Sequence, residues 1–237
     1  MIEELVRWTG ILAGGLWVTL QLVALAGVIT VVLAVGIAIM SISQRALVRM
    51  VAQVYVDVFR SIPLLALLIF LYYVLGRYVA AIGLSAFALA AIGLALNEAA
   101  YVAEVYRAGL KSIPEQQWEA GASLGLGWGG VLRLIILPQA LPPAIPVTLN
   151  MLIGLIKNSA LASLIAVDEV SMKATILVSE TFLPLEVFLL LAVMYLAIII
   201  PLTMVTGRAE ALVARRLGLA GPLRPEASRP AAAQREA

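Results

Sequence analysis

Residues 119–138 read EAGASLGLGWGGVLRLIILP. Gly125 follows Glu119-Ala120 six residues after the glutamate, and a nine-residue spacer leads to Ile135, Leu137 and Pro138. The stretch lies in the longest charge-bearing break between strongly apolar runs. Just upstream, Ser112 stands three residues before Glu115 with Pro114 between them. Ser-x-x-Glu is a capping-box pattern, and proline suits a first helical turn. The spacing predicts a short helix from about Pro114 to Leu124, ended by Gly125 in a left-handed cap. Trp118, Ala122 and Leu126 fall on one side of it at i, i+4 and i+8. Such a stub is too short to be stable alone. Ala120, Gly121, Ala122 and Gly125 are small enough to let a partner's backbone approach, and Glu119 can accept a charge-assisted hydrogen bond from it. The residues leave two readings open: a docking element, or a solvated interfacial helix between spans.

Outward from this elbow the chain is strongly apolar. Of its 237 residues, 63% are hydrophobic and 13% charged, and the mean hydropathy is +1.05. Soluble domains carry about 25% charged residues. The excess predicts an all-α polytopic membrane protein, and no segment alternates with the period of a β-barrel strand. The net charge of +2 is too small to argue for nucleic acid. His and Cys are both absent, which excludes disulfides and argues against a zinc or haem site.

Uncharged runs place five spans near 14–40, 62–76, 84–106, 138–156 and 187–207. Residues 1–13 read as an extracytoplasmic or interfacial lead-in, with Trp8 and Trp17 suited to the headgroup belt. Glu3 and Glu4 precede an overlong apolar run, so a cleaved signal peptide is not expected. Pro63 opens the second span. Pro138, Pro142, Pro143 and Pro146 crowd the fourth, whose start should be irregular. Residues 109–137 form the loop that carries the elbow, and 208–237 form a tail whose Pro/Ala/Arg-rich distal part is expected to be disordered.

Arg and Lys set the orientation. Loop 41–61, region 107–133 and the tail hold twelve of the 16; Arg7, Arg77 and Lys173 lie on the other face, and Lys157 ends span four. The N-terminus is therefore expected outside, with the elbow and the C-terminus in the cytoplasm.

Polar residues at membrane depth are costly and mark candidate sites. Asn97, Tyr101 and Glu104 recur on one face of span three, with Glu98 adjacent. The face can line a path for a zwitterion, a carboxylate meeting its ammonium group. For Glu104 the preferred alternative is a structural pair with Arg107. At the end of span four, Lys157 can snorkel, and Asn158 and Ser159 can bond either ligand or backbone. Arg60 reads equally as an inside anchor or a gate.

Gly125-x-Gly127-x-x-Gly130 fits a dinucleotide fingerprint by letter only, because no strand precedes it. No Gly-Lys-(Ser/Thr) triplet is present, so the chain has no P-loop of its own.

The 119–138 spacing resembles the signature loop of ABC-transporter membrane subunits, with Gly121 where a second alanine is commonest. Phe59-Arg60-Ser61-Ile62-Pro63-Leu64-Leu65, Ala100-Tyr101-Val102-Ala103-Glu104 through Arg107-Ala108-Gly109, Ser112-Ile113-Pro114, Gln117-Trp118-Glu119-Ala120 and Lys157-Asn158-Ser159-Ala160-Leu161 are similar to blocks of the polar amino-acid (histidine/glutamine/glutamate-type) branch. Ala160 stands where serine is usual. Together the blocks cover about 14–207. The resemblance implies five spans with a cytoplasmic coupling helix between the third and fourth, in a multi-pass protein of the bacterial inner membrane. It implies a second permease subunit (a copy or a close relative), two ATP-binding subunits and an extracytoplasmic amino-acid-binding protein. Trp118, Glu119, Ala120, Gly121 and Gly125 would couple to the ATPases; Asn97, Glu98, Tyr101, Asn158 and Ser159 would line the substrate path. The chain would bind no cofactor, ATP and Mg belonging to the partners. The rivals are a permease of the superfamily for another solute, an ion-coupled secondary transporter, and a subunit that only anchors a complex.

Overall fold

A computed structural model describes residues 2–79 and 83–216. Among them there are helices and no strands. Helix α1 (Ile2–Ser41) runs unbroken through the expected lead-in. Trp8 faces the protein interior, buried with Leu12, Val170 and Leu177, while Trp17 is exposed. A tight turn at residues 42–45 follows, in which the Arg49 guanidinium donates to the Ser43 and Gln44 carbonyls at 2.7 and 3.0 Å.

Loop 41–61 of the sequence reading is largely a helix, α2 (Ala46–Ser61). Its Ala52 and Val56 are buried in the central core. Its charges hid it from hydropathy. Pro63 both ends α2 and opens the next helix, as its N-cap: Ile62 before the proline is extended (φ −85°, ψ 124°), the conformation a following proline favours. The chain then bends by 100° into α3 (Leu64–Ile69). A π-helical segment, Phe70–Leu75, and α4 (Gly76–Val79) continue it. The second expected span is thus one arm of a broken pair.

Helix α5 (Ala86–Lys111) is the hub. Ser85 caps it by accepting from the Ala88 amide at 3.2 Å. Its buried alanines, among them Ala90, Ala91, Ala95, Ala99 and Ala103, let α1 approach closely. After the elbow helix α6 (Glu115–Ser123), α7 (Trp128–Val131) leads through a π segment, Leu132–Ile136, into α8 (Leu137–Asn158). The irregular start lies ahead of the prolines. Pro138 has no N–H to give, and the Leu137 amide bonds to the Leu132 carbonyl five residues back.

A 3₁₀ segment, Ser159–Ile165, ends in left-handed Ala166 (φ 61°) and leads to α9 (Val170–Thr181). Glu169 caps α9. It is fully buried, accepting from the Met172 amide at 2.8 Å and the Thr19 hydroxyl at 3.2 Å, so it ties α9 to α1. Burial pushes its carboxyl above the usual range, against the lowering effect of these hydrogen bonds. Helix α10 (Pro184–Arg216) closes the bundle and leaves Leu185, Leu189, Leu196 and Ile200 exposed. It carries the first residues of the expected tail as helix; the tail from 217 onward lies outside the described residues. Among the described residues, four helices are long and apolar enough to cross a membrane, or five spans if the bent α2–α3 pair counts as one.

Candidate functional site

Two places gather the candidate residues. The first is the elbow. Ser112 does not form the capping box. It is still helical at the end of α5, where its hydroxyl donates to the Gly109 carbonyl at 2.8 Å, so α6 starts later, after Pro114. The C-terminus follows expectation: Gly125 adopts φ +79°. Its amide donates to Ala122 at 2.9 Å, and the Leu126 amide to Gly121 at 3.3 Å. That pair of bonds is a Schellman cap.

The inward side of α6 is not Trp118–Ala122–Leu126, because Ala122 is exposed. Gly121 is the buried residue. A Cβ there would lie 2.7 Å from Val131 Cγ2 and 2.9 Å from Ile135 Cδ1. Gly121 thus serves a close contact within the chain, not a partner's approach. Trp118 stacks on Trp128, with ring centroids 6.0 Å apart. Glu119, Ala120 and Gly125 remain exposed, beside Leu124 at 77%. The elbow is bolted to α7 on one side and bare on the other.

The second place is a cavity of about 600 Å³ at the α2–α3 break. Arg60, Asn97, Glu98, Tyr101 and Asn158 all line it. Asn97 is spent structurally: buried, it donates to the Phe59 carbonyl at 2.8 Å and pins the end of α2 to α5. The Tyr55 hydroxyl, donating to Leu96 at 2.8 Å, does the same one turn earlier. These bonds set Arg60, whose guanidinium sits 5.2 Å above the Tyr101 ring. Glu98 faces Gly154 of α8. Ser159 is not part of the cavity lining; it is fully buried and donates to the Ile156 carbonyl at 2.7 Å. Glu104 pairs with Arg107 at 2.6 Å, the structural alternative. A cation, a carboxylate, a phenol and an amide therefore share one space, which is complementary to a small zwitterion. Arg60 was read as an anchor or a gate. Its place in one cavity with Glu98 follows from the docking of α2 on α5 through Tyr55 and Asn97, a contact between distant segments that the sequence around Arg60 does not show.

The sequence profile of the family described as "Binding-protein-dependent transport system inner membrane component" matches residues 30–219. The chain is 38% identical over 167 residues to the "Probable amino-acid ABC transporter permease protein YckA" of Bacillus subtilis, covering 70% of this chain and 73% of that one. It is 38% identical over 164 residues to the L-cystine transport system permease protein TcyB of the same organism, covering 69% of each. A crystal structure of an amino acid ABC transporter with histidines superposes with a TM-score of 0.77 at 31% identity, covering 91% of this chain and 98% of that one.

Proposed function

This chain belongs to the binding-protein-dependent transport system inner membrane component family, and on that premise we propose that it is the membrane subunit of an ATP-driven importer of polar amino acids. The observation that carries the substrate class is the meeting of Arg60 and Glu98 in one cavity. Arg60 would receive the α-carboxylate and Glu98 the α-ammonium group, while Tyr101 and Asn158 supply hydrogen bonds. An inorganic anion would gain nothing from Glu98, and that disfavours an anion permease.

The N-terminus lies outside, and the elbow and C-terminus lie in the cytoplasm of a bacterial inner-membrane assembly. The chain pairs with a copy or a close relative and receives its substrate from an extracytoplasmic binding protein. It does no hydrolysis. Two partner ATPases, which hold ATP and Mg, dock on the bare side of α6 through Glu119, Ala120 and Gly125, while Trp118 and Gly121 hold that helix from behind. Nucleotide-driven closure of the ATPases moves α6. The Gly121 contact passes that motion to α7, and residues 128–158 form a nearly continuous rod of about 45 Å at 1.5 Å per residue. The rod reaches from the elbow to Asn158 at the cavity, so a rocking elbow reshapes the site.

The test is uptake by proteoliposomes of the complex assembled with its ATPases. Polar amino acids should be carried, and their N-acetyl derivatives, lacking the ammonium group, should not. Glu98→Gln should raise the KM for substrate with ATP hydrolysis retained. Equal uptake of the N-acetyl derivatives, or no effect of Glu98→Gln, would refute the assignment.

A further inference from the structure

A second pair of cavities lies below the candidate site, at the inner ends of α1, α5 and α8. One is an apolar crevice of about 280 Å³, walled by Val35 and Ile39 of α1, Leu110 of α5, and Leu141, Ala144 and Ile145 of α8. The other, about 670 Å³, is a polar mouth between the 41–44 turn and the elbow, lined by Arg49, Lys111, Glu115, Trp118 and Trp128. Leu110 lines both, so the crevice and the mouth adjoin.

Their chemistry is that of a lipid. The crevice offers almost nothing polar; its one hydroxyl pair, Tyr106 with Thr148, is satisfied internally. The mouth offers two cations. Arg49 holds the turn through Nη1 alone, and neither Arg49 nor Lys111 has an ion-pair partner among the described residues. Both also line a third, polar cavity with Arg107, whose charge Glu104 neutralises. Glu115 is the carboxylate facing the mouth from the elbow side. Two stacked indoles border it, the residue type that collects at headgroup level. Basic pockets between spanning helices on the cytoplasmic side suit anionic headgroups.

We propose that this site holds one anionic phospholipid of the inner leaflet, an acyl chain in the α1/α5/α8 crevice and the phosphate between Arg49 and Lys111. The proposal rests on the inside placement of the elbow. Because Trp118 and Glu115 belong to α6, the bound lipid braces the elbow against the α1–α2 turn, on the side away from Glu119. Coupling should therefore depend on anionic lipid.

Native mass spectrometry of the purified full-length chain tests this, with phosphatidylglycerol, phosphatidylcholine and soluble glycerol phosphate as probes. Phosphatidylglycerol should be retained selectively. Arg49→Gln with Lys111→Gln should weaken it roughly 25-fold, about fivefold for each charge. Ala144→Leu, which fills the crevice and leaves the cations in place, should weaken both lipids. Equal retention of the two lipids, or retention unchanged in either variant, overturns the site. Glycerol phosphate competing as well as the lipid makes it a soluble-anion site and overturns the lipid. The chain lacks cysteine, so Ser43→Cys reports orientation separately: labelling from outside overturns the inside placement, whereas labelling from inside with no lipid selectivity overturns the lipid site alone.

Discussion

Gly121→Ala sets two effects of known size against each other. Alanine in a helix interior is favoured over glycine by about 1 kcal/mol. Against this, the new Cβ meets Val131 Cγ2 at 2.7 Å, with Val131 Cγ1 and Ile135 Cδ1 at 2.9 Å. Carbon atoms rest at about 3.5–4.0 Å, so nearly an ångström must be found. The Ile135 tip can turn away. Val131 cannot easily, because a β-branched side chain on a helix holds one rotamer. Overpacking of this kind costs about 1–3 kcal/mol, which exceeds the propensity gain. The elbow should therefore lift off α7, with a net loss of up to about 2 kcal/mol and a larger loss of coupling, because the lifted contact is the one that passes motion onward. Uptake per ATP hydrolysed in proteoliposomes, with thermal unfolding alongside, measures both. Val131→Ala should relieve the variant: a double-mutant cycle should give a favourable interaction of about 1 kcal/mol or more. A Gly121→Ala protein that is more stable and fully coupled would refute the reasoning.

Other outcomes follow from the same geometry. Glu119→Lys, on the exposed side of α6, should leave the chain folded in the membrane yet weaken ATPase co-purification roughly tenfold or more, through loss of a charge-assisted hydrogen bond of about 1.5–3 kcal/mol; normal co-purification would count against docking there. Gly125→Asp places a side chain at φ +79°, a strain of about 1–2 kcal/mol, and should loosen the Schellman cap and uncouple transport; undiminished transport with normal ATPase yield would contradict this. Glu169 has a raised carboxyl pKa from burial. The folded protein then keeps a proton that the unfolded chain has lost, so stability falls as pH rises from the ordinary carboxylate range through the raised value. Unfolding midpoints across that window should show this slope in the native protein and lose it in Glu169→Gln; an identical slope in both would exclude Glu169 as its source.

What the sequence made legible was local. The elbow announced itself because Pro114 and Gly125 punctuate a charged stretch between apolar runs, and Gly125 takes the conformation its residue type suggests. Helix α2 stayed hidden because Arg49, Asp57 and Arg60 dilute its apolar side. The Ser112 pattern misled because α5 runs on to that residue: Ser112 keeps helical backbone angles as its C-cap and its hydroxyl donates back to the Gly109 carbonyl, which leaves Pro114 as the N-cap of α6. Gly121 read as an open surface because spacing cannot say which side of a short helix faces the next one. Trp8 is an interfacial residue type, yet the 170–177 segment far along the chain covers it. The cavity combines the two cases: Asn97 and Tyr101 were visible on one helical face with Glu98 adjacent, while Arg60 reaches them only because α2 docks on α5, a pairing that no local pattern encodes.

The claim on which the rest depends is that α6 is an inside-facing handle gripped by a separate nucleotide-binding protein. Because the chain has no cysteine, Glu119→Cys carries a single thiol, and its labelling by an impermeant reagent can be followed in vesicles of either orientation. Modification only from the cytoplasmic side, suppressed once the ATPase is assembled, is the predicted result. Modification from the outer side, or a cytoplasmic rate indifferent to the ATPase, would contradict it.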